Sequence, residues 1–236
     1  MIVLNKASAD DEELWLLLRA IAAGDQSLAK RLITASRELA RRPMHVGANR
    51  LASRSYFLLD VARHVYAGDT ALHIAAAAYD IDVARMLLTF DANVRAHNRR
   101  GAEPIHYAAV GSPGSSRWHP ERQAEVIEYL INVGADPNAT DRDEVTPLHR
   151  AVRTRCAEAV RVLLVHGAHV RAKNGNGSMP LHLAVNTTGR GGTGLGPARQ
   201  QQCEIIRLLL THGAHRSDTD ERGRAHVDRL LGSSSA

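Results

Sequence analysis

The sequence predicts an all-α solenoid, a stack of repeated helical units that bury their aliphatic residues against one another. Three observations carry this: a short string recurs, an aliphatic string follows each copy, and the step from one unit to the next is constant. The first string reads Thr70-Ala71-Leu72-His73-Ile74-Ala75, Glu103-Pro104-Ile105-His106-Tyr107-Ala108, Thr146-Pro147-Leu148-His149-Arg150-Ala151 and Met179-Pro180-Leu181-His182-Leu183-Ala184. The second reads Val83-Ala84-Arg85-Met86-Leu87-Leu88, Val126-Ile127-Glu128-Tyr129-Leu130-Ile131, Ala159-Val160-Arg161-Val162-Leu163-Leu164 and Ile205-Ile206-Arg207-Leu208-Leu209-Leu210.

From the last aliphatic residue of one unit to the start of the next, 103 − 88, 146 − 131, 179 − 164 and 225 − 210 all equal 15. Within units the span is 18 for 70 to 88 and for 146 to 164, but 28 for 103 to 131 and 31 for 179 to 210. Two units are therefore standard at 33 residues, and two carry insertions of about 10 and 13. Thr at the N-cap, Pro at the first helical position and His on the first turn satisfy amides that a helix start leaves without partners. The paired aliphatics can be buried only against a neighbouring unit.

With its T-P-L-H-x-A signature and 33-residue step, the chain resembles the ankyrin repeat family over nearly its whole length. The resemblance implies a solenoid of β-turn plus helix-turn-helix units over residues 1–232. An atypical N-terminal capping repeat is expected over 11–33, at Trp15 to Ile33, where 33 − 15 again equals 18. An insertion follows over 34–66. Tyr56, Phe57, Leu58, Val61, Ala62 and Val65 recur there at helical spacing, predicting one extra helix. Repeats are expected over 67–100, 101–142, 143–176 and 177–221, then a C-terminal cap over 222–232 and a disordered tail over 233–236.

Two positions depart from the pattern. Glu103 stands at the N-cap in place of Thr, so Glu103→Thr stabilises by about 0.5 to 1 kcal/mol if capping is the only task there. Glu144 stands where other units have Gly68, Gly101, Gly177 and Gly223. A left-handed turn at that point strains Glu144 by about 1 kcal/mol.

Composition narrows the function. Aromatic residues make up 4% of the 236, which fits an interior of Leu, Ile, Val and Ala. The net charge is +5, and with lysine only at 6, 30 and 173 the cations include 30 − 3 = 27 arginines. Arginine suits bidentate contact with carboxylate or phosphate. Cys156 and Cys203 form no CxxC, no apolar run approaches the roughly 18 residues of a membrane span, and the N-terminus lacks signal-peptide order. A cytoplasmic, monomeric protein is expected. His73, His106, His149 and His182 are explained as framework, and no metal or cofactor is expected. Gly189 to Gly194 matches G-x-G-x-x-G outside any βαβ context, and no nucleophile elbow is present, so no enzyme is expected.

What remains is surface. The family resemblance implies partner binding on the concave side, at turn tips and inner helices. That maps to Arg99, Arg100, Tyr107, Arg142, Arg150, Arg153 and Arg155, with Trp118 and His119 on one insertion and Arg190 on the other. Arg, Trp and Tyr are the common anchors of protein interfaces. The expected function is a protein-interaction module for an acidic partner segment. Two alternatives stand beside it: binding of nucleic acid or another polyanion through the same arginines, and a small-ligand sensor or enzyme with a site beneath the loops at 111–120 and 187–199.

Overall fold

The computed structural model describes residues 9–113, 118–185, 196–219 and 227–228, and the chain forms two compact units, residues 1–108 and 109–236. The C-terminal cap, apart from Val227 and Asp228, and the tail expected at 233–236 lie outside the described residues. The first unit holds α1 (Ala9–Ala23), α2 (Gln26–Ala35), α3 (Ala71–Ala77), α4 (Ile81–Thr89) and α5 (Pro104–Ala108). The second holds α6 (Pro120–Asn132), α7 (Pro147–Arg153), α8 (Ala157–Val165), α9 (Pro180–Val185) and α10 (Gly196–Thr211).

The two strings of the sequence are these helices, and stacking buries them. In the first unit α3 packs between α1 and α5, and α2 packs on α4; in the second α7 packs on α9, and α8 lies between α6 and α10. Leu17, Leu18, Ile21, Leu72, Ile74 and Ile105 are fully buried in one unit, and Ile127, Leu130, Leu148, Leu163, Leu181 and Leu209 in the other. Each contributes about 1.5 to 3 kcal/mol relative to exposure. Short helices need firm starts: Asp25 accepts the Leu28 N–H (2.9 Å), and Asp80 accepts that of Val83 (3.1 Å).

Three turns of the repeat require a left-handed backbone, and the sequence meets that need unevenly. In the β-turn, Gly68, Gly101 and Gly177 have φ of 88°, 75° and 74°, and Glu144 has 55°. Between the paired helices the position is Gly24, Tyr79 or Arg155. After the second helix it is Gly134, Gly167 or Gly213, but Asp91 in the first unit. An L-residue with a Cβ is strained there and glycine is not. The expectation for Glu144 therefore holds.

The β-turns at Gly101, Glu144 and Gly177 are each tied by one Asx side chain. Asn98 Oδ1 accepts from Arg100 and Ala102 N–H, Asp141 Oδ1 from Asp143 and Val145, and Asn174 Oδ1 from Asn176 and Ser178, all at 2.8 to 3.1 Å. Successive turns then join edge to edge within a unit: Arg99 N–H donates to Ala67 O (2.7 Å), and Gly175 N–H to Asp143 O (2.8 Å).

The insertion departs from expectation. The residues predicted to form an extra helix form a 3-10 turn at Arg54–Tyr56 and a hairpin, β1 (Phe57–Leu58) against β2 (Arg63–His64), paired Phe57 to His64 and Leu58 to Arg63. Ala62 closes its turn at φ 50°. Alternation explains the outcome: Leu58 and Val65 are 5% and 0% exposed, whereas Leu59 is 80% exposed. Residues 44–48 run beside 65–69, with Met44 N–H on Asp69 O, Gly68 N–H on Met44 O and Ala48 N–H on Val65 O at 2.7 to 2.8 Å. A Cβ at Gly47 would lie 2.5 Å from Ala67 N, so only glycine permits that approach. The buried Asp11 carboxylate on α1 accepts the His45 and Val46 amides (3.1 and 3.2 Å) and docks the segment. The insertion thus provides the turn that the first repeat lacks.

Replacing Glu144 by Gly is expected to raise stability by about 0.5 to 1 kcal/mol in urea unfolding, and Asp91→Gly by a similar amount. Unchanged midpoints would show that neither turn is strained.

Candidate partner-binding surface

The signature histidines come first, because they fix the inner helices on which the arginines stand. His73, His106 and His149 are at most 1% exposed. The Thr146 backbone N–H donates to His149 Nδ1 (3.3 Å), and His149 Nε2 lies 3.0 Å from the Ser178 carbonyl of the next turn. The first unit repeats the arrangement: Thr70 N–H donates to His73 Nδ1 (3.1 Å), and His73 Nε2 faces Ala102 O (3.1 Å). Glu103 N–H donates to His106 Nδ1 (3.1 Å). An Nδ1 that accepts leaves the ring proton on Nε2, which the facing carbonyl takes. One neutral ring thereby caps its own helix and grips the next unit. Burial pushes the His149 imidazole below the usual 6.5, against the opposing pull of the Ser178 carbonyl and Asp141.

Glu103 has a task besides the cap. It is 1% exposed, and its carboxylate lies 3.1 Å from His97 Nε2 and 3.7 Å from Arg95 Nε. Glu103→Thr would remove those contacts, which offsets the expected gain in capping.

In the first unit, the Arg99 and Arg100 guanidiniums lie over the Tyr66 ring, 5.2 and 5.6 Å from its centre, and Arg99 also donates to the Ala48 carbonyl. Both face the insertion. Tyr107, expected on the surface, is 4% exposed and belongs to the core. Its hydroxyl donates to the buried Asp69 carboxylate (2.8 Å) and accepts from Asn98 (3.0 Å), and its ring packs edge-on against His73. The Asp69 partner, 38 residues away, and Asn98 draw the phenol inward, so Tyr107 is no contact residue.

In the second unit the arginines divide by partner. Arg150 donates to Asp141 (2.6 Å), and both side chains are largely buried. Burial alone pushes Asp141 up, but the Arg150 guanidinium and the amides of Val145 and Asp143 outweigh it and hold the carboxyl below its usual 3.8. Arg150 is thus an internal ion pair. Arg142 and Arg153 are exposed, Arg155 is half-buried, and none of the three has a hydrogen-bond or ion-pair partner among the described residues. Arg155 sits in the left-handed turn after α7, and burial lowers its guanidinium pKa. With Arg153 it borders a narrow cleft against Leu183, Ala184 and Gln202, whose free volume of about 10 Å³ holds one water at most.

Trp118 is half-buried. Its Nε1–H donates to Gln123 Oε1 (2.8 Å), and its ring lies so close to Gly111 that a Cβ there would meet Nε1 at 2.5 Å. It pins the insertion onto the Cys156 edge of α8 and is only partly available to a partner. His119 is exposed at the start of α6. Arg190 lies outside the described residues. The Tyr66 platform and the carbonyl contacts of His73 and His149 were not anticipated; the 29-residue step that these two share to their carbonyl acceptors was the available signal.

Comparison with known proteins agrees with the fold. The ankyrin repeat family model matches residues 67–99 and 100–142, and a model for multiple ankyrin repeats matches 124–184. Together they span half of the chain, which belongs to the ankyrin repeat family. Similar proteins include the tyrosine-protein kinase Shark of Drosophila melanogaster (34% identical over 42% of this chain and 10% of that protein) and the mouse ankyrin repeat and SOCS box protein 16 (35% over 40% and 20%). The rat cyclin-dependent kinase 4 inhibitor B is 34% identical over 40% of this chain and 65% of its own length. The chain therefore spans less than two thirds of these relatives. It is a protein–protein interaction module of a family that is generally a non-enzymatic scaffold. No helix among the described residues is long and apolar enough to cross a membrane.

His149→Ala leaves the buried Thr146 amide and the Ser178 carbonyl without partners and is expected to cost about 3 kcal/mol in chemical unfolding. The pH dependence has a definite sign. Below 6.5 the unfolded imidazole takes a proton that the native one still refuses, so this stabilisation is present above pH 6.5 and declines as the pH falls through the lowered native value. In His149→Gln that part of the acid loss should vanish; an unchanged pH profile would refute the role.

Proposed function

We propose that the second unit grips an acidic segment of a partner protein through Arg142, Arg153 and Arg155, with His119 and the exposed edge of Trp118 beside them. The observation that supports this most is Arg155. A non-glycine residue in a left-handed turn is strained, and a half-buried guanidinium without a carboxylate is costly to desolvate. Both costs are offset if an incoming carboxylate completes the site with a bidentate contact. Arg153, one turn end away and unpaired, adds a second donor.

A polyanion reading draws less support from the same surface, because Asp143 and Glu144 share the turn with Arg142, and Arg150 is neutralised by Asp141. The cleft beside Arg155 is too small for an organic ligand, and the loop residues 114–117 and 186–195 lie outside the described residues. The reading has the chain acting as a monomer in the cytoplasm.

Arg153→Glu with Arg155→Glu is expected to leave the helical circular dichroism intact and to abolish recovery of the acidic partner from extracts of the native cell. Recovery undiminished would overturn the proposal. Arg155→Gly gives a second reading of the same idea: stability equal or higher, because the turn prefers glycine, with partner recovery reduced.

A further inference from the structure

On the outer helices of the second unit, α6 and α8 leave a groove of about 280 Å³ between them. Helical spacing builds its walls. Glu121, Glu125 and Glu128 form one stripe on α6, and Glu158, Val162 and Val165 form the facing stripe on α8. Ala124, Val162 and Val165 make an apolar floor, and Val165 is 65% exposed although aliphatic.

The charge of the groove runs against that of the chain. Arg161 is bound to Glu158, with Nε at 3.0 Å and NH2 at 2.6 Å, which leaves the three α6 glutamates as the net charge of the walls. Of these, Glu128 lies 3.8 Å from the imidazole of His166 and within electrostatic reach of Arg161. Its four glutamates and one arginine sum to −4 + 1 = −3 in a protein of formal net charge +5. No group of His, Cys, Asp or Glu among the described residues is arranged to hold a metal ion.

We infer that this groove is a second docking site, which takes a basic segment of a partner protein: its aliphatic side chains rest on Ala124, Val162 and Val165, and its Arg or Lys side chains pair with Glu121, Glu125 and Glu128. Ala124 and Val162 are largely buried, so the exposed Val165 is the apolar anchor, and with carboxylate walls on either side it is complementary to that chemistry and repels acidic chains. The site is separate from the arginines of the proposed function and stands or falls independently of them.

The test uses the full chain and a synthetic peptide built from Leu-Arg-Arg-Leu blocks, with the same peptide carrying Glu for Arg as its counterpart, followed by methyl NMR. The basic peptide is expected to shift the Val162 and Val165 methyl signals, and the acidic one to leave them unmoved. Glu125→Gln with Glu128→Gln should weaken the apparent affinity about fivefold. Arg153→Glu with Arg155→Glu should leave it unchanged, which separates this site from the other. The inference is overturned if the methyls do not move, if both peptides act alike, if the glutamine variant binds as well, or if the chain alone fills the groove by self-association.

Discussion

The fold depends on the buried, neutral imidazoles of three repeats, His73, His106 and His149. A helix of seven residues such as α7 has little stability of its own. His149 compensates in two directions, accepting the amide of its own N-cap and facing the carbonyl that ends the next β-turn. Because the carbonyl belongs to the neighbouring repeat, helix initiation and stacking are one event. His73 does the same in the first unit, where its acceptor Ala102 lies the same 29 residues away. Both rings belong to the repeats of standard 33-residue length.

The repeat was legible because its chemistry is local. Thr-Pro-Leu-His sets a helix start by itself, and a glycine position occupied by Glu144 could be recognised as strained from alignment with Gly68, Gly101 and Gly177. The insertion was not legible for an equally physical reason. Over a run as short as Tyr56 to Val65, apolar residues that fit a helical period also fit two short strands around a turn, and local pattern does not choose between them. The choice was made at a distance, by Asp11 reaching the amides of His45 and Val46 and by Gly47 lying against the backbone of Tyr66 and Ala67. Tyr107 was misplaced for the same reason, since its buried acceptor Asp69 lies 38 residues away.

The candidate site separated in a similar way. The sequence marks out a cluster of arginines, but not which of them are already engaged. Arg150 meets Asp141, Arg99 and Arg100 lie over Tyr66, and only Arg142, Arg153 and Arg155 of the expected cluster lack a partner among the described residues. A surface of arginine in a protein of charge +5 thus resolves into structural cations and a few free ones. The free ones stand on a helix and turn that the histidine lock holds rigid, which is what a preorganised contact requires.

The central claim is the protonation state of those rings, and it can be read directly. Long-range proton–nitrogen correlation spectra of the histidine side chains at neutral pH should show His73, His106 and His149 as slowly exchanging tautomers with the proton on Nε2 and a bare, accepting Nδ1. A proton on Nδ1, or rings averaging rapidly between tautomers, would contradict the account.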